Sequence, residues 1–339
     1  MNGVAPASAG PLSQTLDGTN ESVHRSSSSA AMTSPTFFHV DVFATSSMTG
    51  NGLTVFLDTA KWSASTMQRL TREMRQFESI FLSEVSPSGA AARVFTVDEE
   101  LPFAGHPALG AAAVLHRTQA PQADACTWTL RLLYGPVPVR TRKLSDHYLC
   151  EMNQGIPILG CSIAAELLSP ILKRLGLAET DIVSGIQAQV ISTGLPYLIV
   201  PVLPAALSRA RINGTDLELL LGAVGAKFVL VLDVDGREAR TWDNLGQVED
   251  VATGSAAGPA AAYLLQYGLA DADLPIEIAQ GRFAGRPSKI VVIQDKVGNL
   301  LVSGEVWPVS HGVLDMDPGI EAASRSCQSM HSMRSIACG

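Results

Sequence analysis

The sequence predicts an α+β protein made of two similar halves, each with a helix through its centre. Segments rich in β-branched and aromatic residues outnumber helical ones and mostly join by short turns, which is typical of antiparallel sheets. An alanine-rich segment preceded by a glycine and a polar residue occurs once in each half. Because alanine adds almost no bulk, each such helix could pass through the centre of its half.

The repeated segments match closely when they are laid over each other. They are ELPFAGHPALGAAAVLHR, Glu100 to Arg117, and EDVATGSAAGPAAAYLLQY, Glu249 to Tyr267. Placing Gly105 on Gly254 puts His106 on Ser255 and aligns the two runs of alanine. This match predicts that the chain contains two copies of one structural unit, an alanine-rich helix preceded by a glycine and a polar residue.

Composition limits the class of protein. The chain has 339 residues, of which 46% are hydrophobic and 17% charged, enough for two domains with a core. A net charge of -8 argues against nucleic-acid binding, and no apolar run is long enough to cross a membrane. The five cysteines form no CxxC pair, so neither zinc nor a disulfide framework is indicated. We therefore expect a soluble, cytoplasmic protein.

Four segments follow from these patterns. Residues 1–35 are rich in Ser, Ala and Gly and should be a disordered tail, with a transit peptide as the less favoured alternative. Two domains are expected at residues 36–155 and 156–315. Residues 316–339 should form a partly disordered C-terminal tail.

In the first half, TFFHVDVF and LTVFLD predict strands around a turn at Thr49 to Gly52. A helix is predicted over Ser65 to Arg75, where Met67, Leu70 and Met74 are spaced for one helical face. An antiparallel set of strands then follows, in the order SIFLSEV, ARVFTV, TWTLRLL, PVPVRTR and HYLCEM.

The second half repeats this mixture. IAAELLSPILKRLGL predicts a helix that contains Pro170 and ends at Gly176. The predicted strands are QVISTGLPYLIVPV, KFVLVLDV, PIEIAQG, SKIVVIQD and LLVSGEVWPV.

Helix beginnings give the repeat a possible function. The first turn of a helix offers unpaired backbone N–H groups and a partial positive charge, so a glycine there can admit an anion such as a carboxylate. His106 and Ser255 would lie in these first turns. By itself, however, Ser255 is better explained as an ordinary N-cap, and Asp250 is equally well explained as a solvated loop acid.

Several motifs together resemble the PhzF-like isomerases of phenazine biosynthesis over roughly residues 36 to 310. They are VDVFATSSMTGNGLTVFLD, FESIFL, ELPFAGHPALG, STGLPYLIV, EDVATGSAAGPAAAYL and GRPS. The resemblance implies the diaminopimelate-epimerase-like fold, in which two pseudo-symmetric domains each wrap a curved, mostly antiparallel sheet around a central helix. It also implies an active site in the cleft between the domains, and a homodimer.

The resemblance also implies roles for individual residues. Glu78 would be the catalytic acid/base, with His106, Asp250 and Ser255 as its partners. On sequence alone, Glu78 would rather be a surface acid between a helix and a strand. The residues expected to bind substrate are Gly105, Gly254, Phe77, Ser79 and Asn51. No metal or other cofactor is expected, since the histidines show no ligand spacing and no dinucleotide fingerprint is present.

The chemistry of these residues favours a single-base mechanism. Related epimerases and racemases use two cysteines at the helix starts, where this chain has His106 and Ser255, so a two-thiol mechanism is excluded. A carboxyl group in a closed cleft can have its pKa raised to about 6 to 7, which suits a group that takes a proton and returns it.

The chain also departs from the family pattern. It has Gln76, Phe77 and Ser79 where the family usually has Asn, Ser and Thr, and Gly52 replaces the usual proline. These differences leave the substrate open. The expected function is a cofactor-independent isomerase acting on a small carboxylated metabolite in secondary or amino-acid-derived metabolism. The alternatives are a dehydratase or lyase that uses the same base, and a catalytically weak homologue that binds a metabolite or protein.

Overall fold

The structure is a computed structural model that describes residues 35–315. The predictions for the two tails lie outside these residues, apart from Pro35. Within the described range, no helix is long and apolar enough to cross a membrane.

Sixteen strands and six α-helices make up this part of the chain. The strands are β1 Thr36–Val42, β2 Asn51–Phe56, β3 Glu78–Ser86, β4 Gly89–Thr96, β5 Glu100–Leu101, β6 Ala125–Leu132, β7 Gly135–Lys143, β8 Tyr148–Asn153, β9 Ile158–Ser162, β10 Gln189–Ser192, β11 Pro196–Val202, β12 Phe228–Asp233, β13 Glu238–Arg240, β14 Ile276–Gln280, β15 Ser288–Gln294 and β16 Leu300–Val313. The helices are α1 Ala64–Met74, α2 Gly105–Gln119, α3 Ala165–Arg174, α4 Pro204–Leu207, α5 Leu217–Ala223 and α6 Gly254–Gln266. A short 3-10 helix spans Glu179–Asp181.

Most predicted elements are present close to their expected bounds. Helix α1 begins after Ser63, whose side chain accepts a hydrogen bond from the Thr66 backbone N–H, as an N-cap does. The segment QVISTGLPYLIVPV forms two strands, β10 and β11, rather than one. The sequence patterns did not predict the short elements β5, β9, β13, α4 and α5.

The strands form one continuous sheet with a closed part and an open part. In the first half, β1, β2, β3, β4, β6, β7, β8 and β16 pair in that order, and β16 pairs back with β1. In the second half, the order is β16, β15, β14, β13, β12, β11, β10 and β9. Strand β16 therefore belongs to both halves and joins them.

Four parallel pairs interrupt the expected antiparallel pattern: β2 with β3, β4 with β6, β11 with β12, and β13 with β14. Each pair is joined by a connection that contains a helix, as parallel strands require. In the first half the helices are α1 and then α2; in the second half they are α4 with α5 and then α6. The two halves thus share one pattern of crossovers.

Helices α2 and α6 are the central helices of the two halves. Every residue from Gly105 to His116 is buried, and so is every residue from Ala256 to Leu264. Helix α2 lies so close to the surrounding strands that a Cβ on Gly110 would collide with Leu53 and lie 3.1 Å from a methyl group of Val42. The central, alanine-rich helices expected from the sequence are confirmed.

This close packing makes the side-chain volume at Gly110 critical for stability. Gly110→Ala should lower the free energy of unfolding by about 1 to 3 kcal/mol, because the added methyl group overpacks the core. The matched control is Gly222→Ala in α5, where an added Cβ would meet nothing within 4 Å. It should be neutral or stabilising by up to about 1 kcal/mol. Chemical denaturation measures both, and equal stabilities of the two variants would contradict the prediction.

Candidate active site

The first turns of α2 and α6 lie against each other. Gly105 and Gly254, which the sequence alignment equated, are the first residues of the two helices. A Cβ on Gly105 would lie 3.6 Å from the Ser255 backbone nitrogen, and one on Gly254 would lie 3.8 Å from that of His106. The positive ends of two helix dipoles therefore meet at one place.

Glu78 reaches this place from the first position of β3. Its side chain is buried, with 5% of the residue exposed, and Oε2 lies 3.4 Å from Nδ1 of His106, of which 6% is exposed. Among residues 35–315, neither Glu78 Oε2 nor His106 Nε2 has a hydrogen-bond partner. The two side chains are thus close together and removed from water.

Burial keeps both groups uncharged near neutral pH. Desolvation, with a smaller contribution from the charge of Asp250, raises the pKa of Glu78 to about 8. Desolvation also lowers the pKa of His106 to about 3. The separation of 3.4 Å would suit an ion pair, but both pKa shifts oppose one. The pair is therefore a carboxylic acid beside a neutral imidazole.

Asp250 lies in the loop before α6 and is held by several donors. Asn51 Nδ2 donates to its Oδ1 over 2.9 Å, and the Thr253 hydroxyl donates to Oδ2. Asn51 also donates to the Ala252 carbonyl, so it ties the first half of the chain to this loop. Although Asp250 is partly exposed, the surrounding protein desolvates it and raises its pKa, while these hydrogen bonds act in the opposite direction.

Two buried residues that the sequence patterns did not single out contact Asp250, Thr253 and Ser255. Gln280 donates from Nε2 to the Asp250 carbonyl and accepts from the Thr253 N–H, so it braces the loop. Tyr197 places its hydroxyl oxygen 2.8 Å from Ser255 Oγ. Tyr197 lies within the motif STGLPYLIV, but nothing in its pattern separates a site tyrosine from a core one.

The structure brings together Glu78, His106, Asp250, Ser255, Asn51, Gly105 and Gly254. Ser79 is different, because successive residues of a strand point to opposite faces. Glu78 and Ile80 face the side of β3 that packs around α2. Ser79 and Phe81 face the other side, which α1 covers. The Ser79 side chain therefore points away from Glu78, and Phe77 is half-buried at the turn before β3.

Two of the departures from the family pattern contact each other. Gln76 Oε1 occupies the place where a side chain on residue 52 would begin, and His39 Nε2 lies 3.4 Å from that position. Gly52 follows Asn51 on β2 and so faces the opposite side of the sheet from Asn51. Gln76 therefore fills space that Gly52 leaves, on the outer face of the sheet.

Within residues 35–315, no group of three or more His, Cys, Asp or Glu side chains is placed to hold a metal ion. The expectation of a site without metal or other cofactor stays a prediction.

Comparison with known proteins gives a consistent family. The family model PhzC-PhzF, phenazine biosynthesis-like protein, matches residues 40–312. The trans-2,3-dihydro-3-hydroxyanthranilate isomerase of Pseudomonas aeruginosa is 34% identical over 277 residues, covering 79% of this chain and 93% of the relative.

Solved structures agree with the fold class. The structure of "Predicted Epimerase PA4716" from Pseudomonas aeruginosa is 46% identical, with a TM-score of 0.79, and the match covers 84% of this chain and all of the other. A probable proline racemase from Agrobacterium radiobacter K84 shares the fold at 13% identity, with a TM-score of 0.57 over 84% of this chain and 94% of its own. The predicted epimerase-like α+β fold is confirmed.

The buried Glu78 should cost stability at neutral pH. Its pKa is about 8 in the folded protein against 4.5 as the ordinary value, so folding binds a proton between these pH values. Stability due to this group therefore falls as pH rises, by up to about 1.4 kcal/mol per pH unit. Glu78→Gln should be more stable than the wild type at pH 7, and the difference should shrink towards pH 4.5.

Denaturant titrations of both proteins between pH 4.5 and 8 measure this difference, since other groups contribute equally to both. A constant difference across this range would show that burial does not raise the pKa of Glu78.

Proposed function

This chain belongs to the PhzC-PhzF family of phenazine biosynthesis-like proteins and is an isomerase, and from that premise we propose that Glu78 moves a proton within a small carboxylic acid. The double bond of the substrate moves with the proton. The observation that carries the proposal is the desolvated Glu78 carboxyl beside His106, at the point where two helices begin.

The helix beginnings supply the binding site for the substrate's carboxylate. Backbone N–H groups in the first turns of α2 and α6 face an anion favourably, and the absence of side chains on Gly105 and Gly254 lets it approach. The same dipoles stabilise negative charge that develops on the substrate after it loses a proton. Binding and transition-state stabilisation thus use the same groups.

The reaction then needs one base that works twice. Ionised Glu78 removes a proton from a carbon next to the double bond, so a C–H bond breaks and a carboxyl O–H bond forms. The electron pair left behind spreads over the double bond. Glu78 returns the proton at another carbon of this system, which restores the carboxylate, so no electrons are gained or lost and no external reactant is consumed.

Glu78 suits this role better than its neighbours. A base with a pKa near 8 accepts a proton strongly and still ionises near physiological pH. His106, with its pKa lowered to about 3, is a weak base, and the oxygens of Asp250 are already hydrogen-bonded to Asn51 and Thr253. We assign to these two residues the orientation of the substrate and of Glu78.

The test is hydrogen exchange in D2O. A panel of unsaturated carboxylic acids, including trans-2,3-dihydro-3-hydroxyanthranilate, is incubated with the protein and followed by NMR and mass spectrometry. Glu78→Gln should lose about 10² to 10⁴ in turnover, the amount that general acid/base catalysis supplies, while substrate still binds. Glu84→Gln is the matched control, because Glu84 lies on the same strand with an exposed side chain and should leave turnover unchanged.

The products separate this proposal from others. An isomer with a shifted double bond and deuterium at the new position supports it. Loss of water indicates a lyase, and inversion at a single carbon indicates an epimerase. Exchange by Glu78→Gln at the wild-type rate would remove Glu78 as the base.

The pKa of Glu78 also predicts the pH dependence. Because the ionised carboxylate is the active form, kcat/KM should rise about tenfold per pH unit below pH 8 and level off above it. Asp250→Asn should move this inflection to lower pH, since the charge of Asp250 helps to raise the pKa of Glu78. A profile that falls from pH 6 to 8 would contradict the assignment of Glu78 as a base.

A further inference from the structure

Tyr197 and Ser255 form a pair of neighbouring hydroxyl groups at the start of α6, of which Tyr197 is buried and Ser255 half-buried. The two oxygens are 2.8 Å apart, and Tyr197 is 3% exposed. Its ring packs against Phe228, with the ring centres 5.6 Å apart, which fixes the position of the hydroxyl. The Tyr197 hydroxyl is therefore removed from bulk water, whereas the half-buried Ser255 is not.

The chemistry of the two groups decides which one donates. A phenol is a much stronger acid than an aliphatic alcohol, and its oxygen is a poorer acceptor because a lone pair is shared with the ring. The separation of 2.8 Å fits a hydrogen bond in either direction, and this difference in acidity favours the Tyr197 hydroxyl as donor and Ser255 Oγ as acceptor. Burial raises the pKa of Tyr197 while the hydrogen bond with Ser255 acts in the opposite direction, and because the pKa is raised overall, Tyr197 keeps its proton near neutral pH.

The hydrogen of Ser255 is then left for another acceptor. Within residues 35–315, the Tyr197 hydroxyl is the only hydrogen-bond partner of Ser255 Oγ. Ser255 is also only half-buried, so a ligand can reach it.

We propose that Tyr197 is a positioning residue, whose hydroxyl donates to Ser255 and so directs the Ser255 hydrogen towards the carboxylate of a bound substrate. This assignment rests on the proposed function only in placing a carboxylate at the start of α6. Tyr197 acts through Ser255 and not on the reacting carbons.

Measuring the binding of a carboxylate that cannot react tests the role of Tyr197 separately from catalysis. The probe is anthranilate, an aromatic carboxylate with no saturated carbon from which a proton could be moved, and its Kd is measured by calorimetry or NMR titration. Tyr197→Phe keeps the ring and removes only the hydroxyl, and should weaken binding about two- to tenfold, the usual range for one hydrogen bond. Ser255→Ala should weaken it at least as much, and Tyr197→Phe should cause no further loss in the Ser255→Ala background.

Tyr263→Phe is the matched control. Tyr263 lies on the same helix and is buried, and its hydroxyl donates to the Gln187 carbonyl over 2.7 Å. It is eight residues from Ser255, about 12 Å along the helix axis. This variant should lose a comparable buried hydrogen bond yet bind anthranilate as the wild type does.

The other outcomes are decisive. Equal affinity of the wild type and Tyr197→Phe, independent effects in the double variant, an equal loss in Tyr263→Phe, or no binding by the wild type at millimolar concentrations would each overturn the assignment. With a substrate from the D2O panel, Tyr197→Phe should raise KM and leave kcat within about twofold. A wild type that binds anthranilate as described but isomerises nothing would remove the proposed function and leave this assignment in place.

Discussion

The close meeting of two helix N-termini is the constraint on which the site depends. A Cβ on Gly105 or Gly254 would already be in van der Waals contact with the first turn of the other helix, so the backbone of each first turn borders the other. Such a close approach requires small side chains on both helices, which the buried alanines provide. It also requires that both halves be held in one relative position, which the shared strand β16 does. Phe43 adds to this, because its buried ring fills the space beside Gly254 and Gly304.

Desolvation connects this architecture to the chemistry. A carboxyl group excluded from water and close to a second acid holds its proton more tightly, and no hydrogen bond from residues 35–315 to Glu78 Oε2 offsets this effect. The same surroundings that make Glu78 a strong base therefore make it unfavourable for folding near neutral pH. The alanine-rich core around the central helices has to compensate for this local cost. The raised pKa of Glu78 thus favours its role as a base and disfavours folding near neutral pH.

Sequence patterns could predict those parts of the fold that depend on local properties. The repeat identified the two central helices and their first residues, because small residues in helical runs and a preceding glycine are visible in any single segment. The parallel crossovers were not predicted, since strand direction depends on pairing between distant segments. Tyr197 was missed for the same reason: its partner Ser255 is 58 residues away in the chain. Glu78 could be singled out only by its resemblance to a family motif, because burial is a property of the folded chain.

The structure also changes the meaning of the differences from related proteins. Gln76 fills the space that Gly52 leaves, and both departures lie on the outer face of the sheet. Ser79 lies on that face as well, so a change from threonine there alters packing near α1 and not the surface presented to a substrate. Gln76, Gly52 and Ser79 therefore lie on the side of the sheet opposite to Glu78. Phe77, which is half-buried and directly precedes Glu78 in the chain, is the remaining departure.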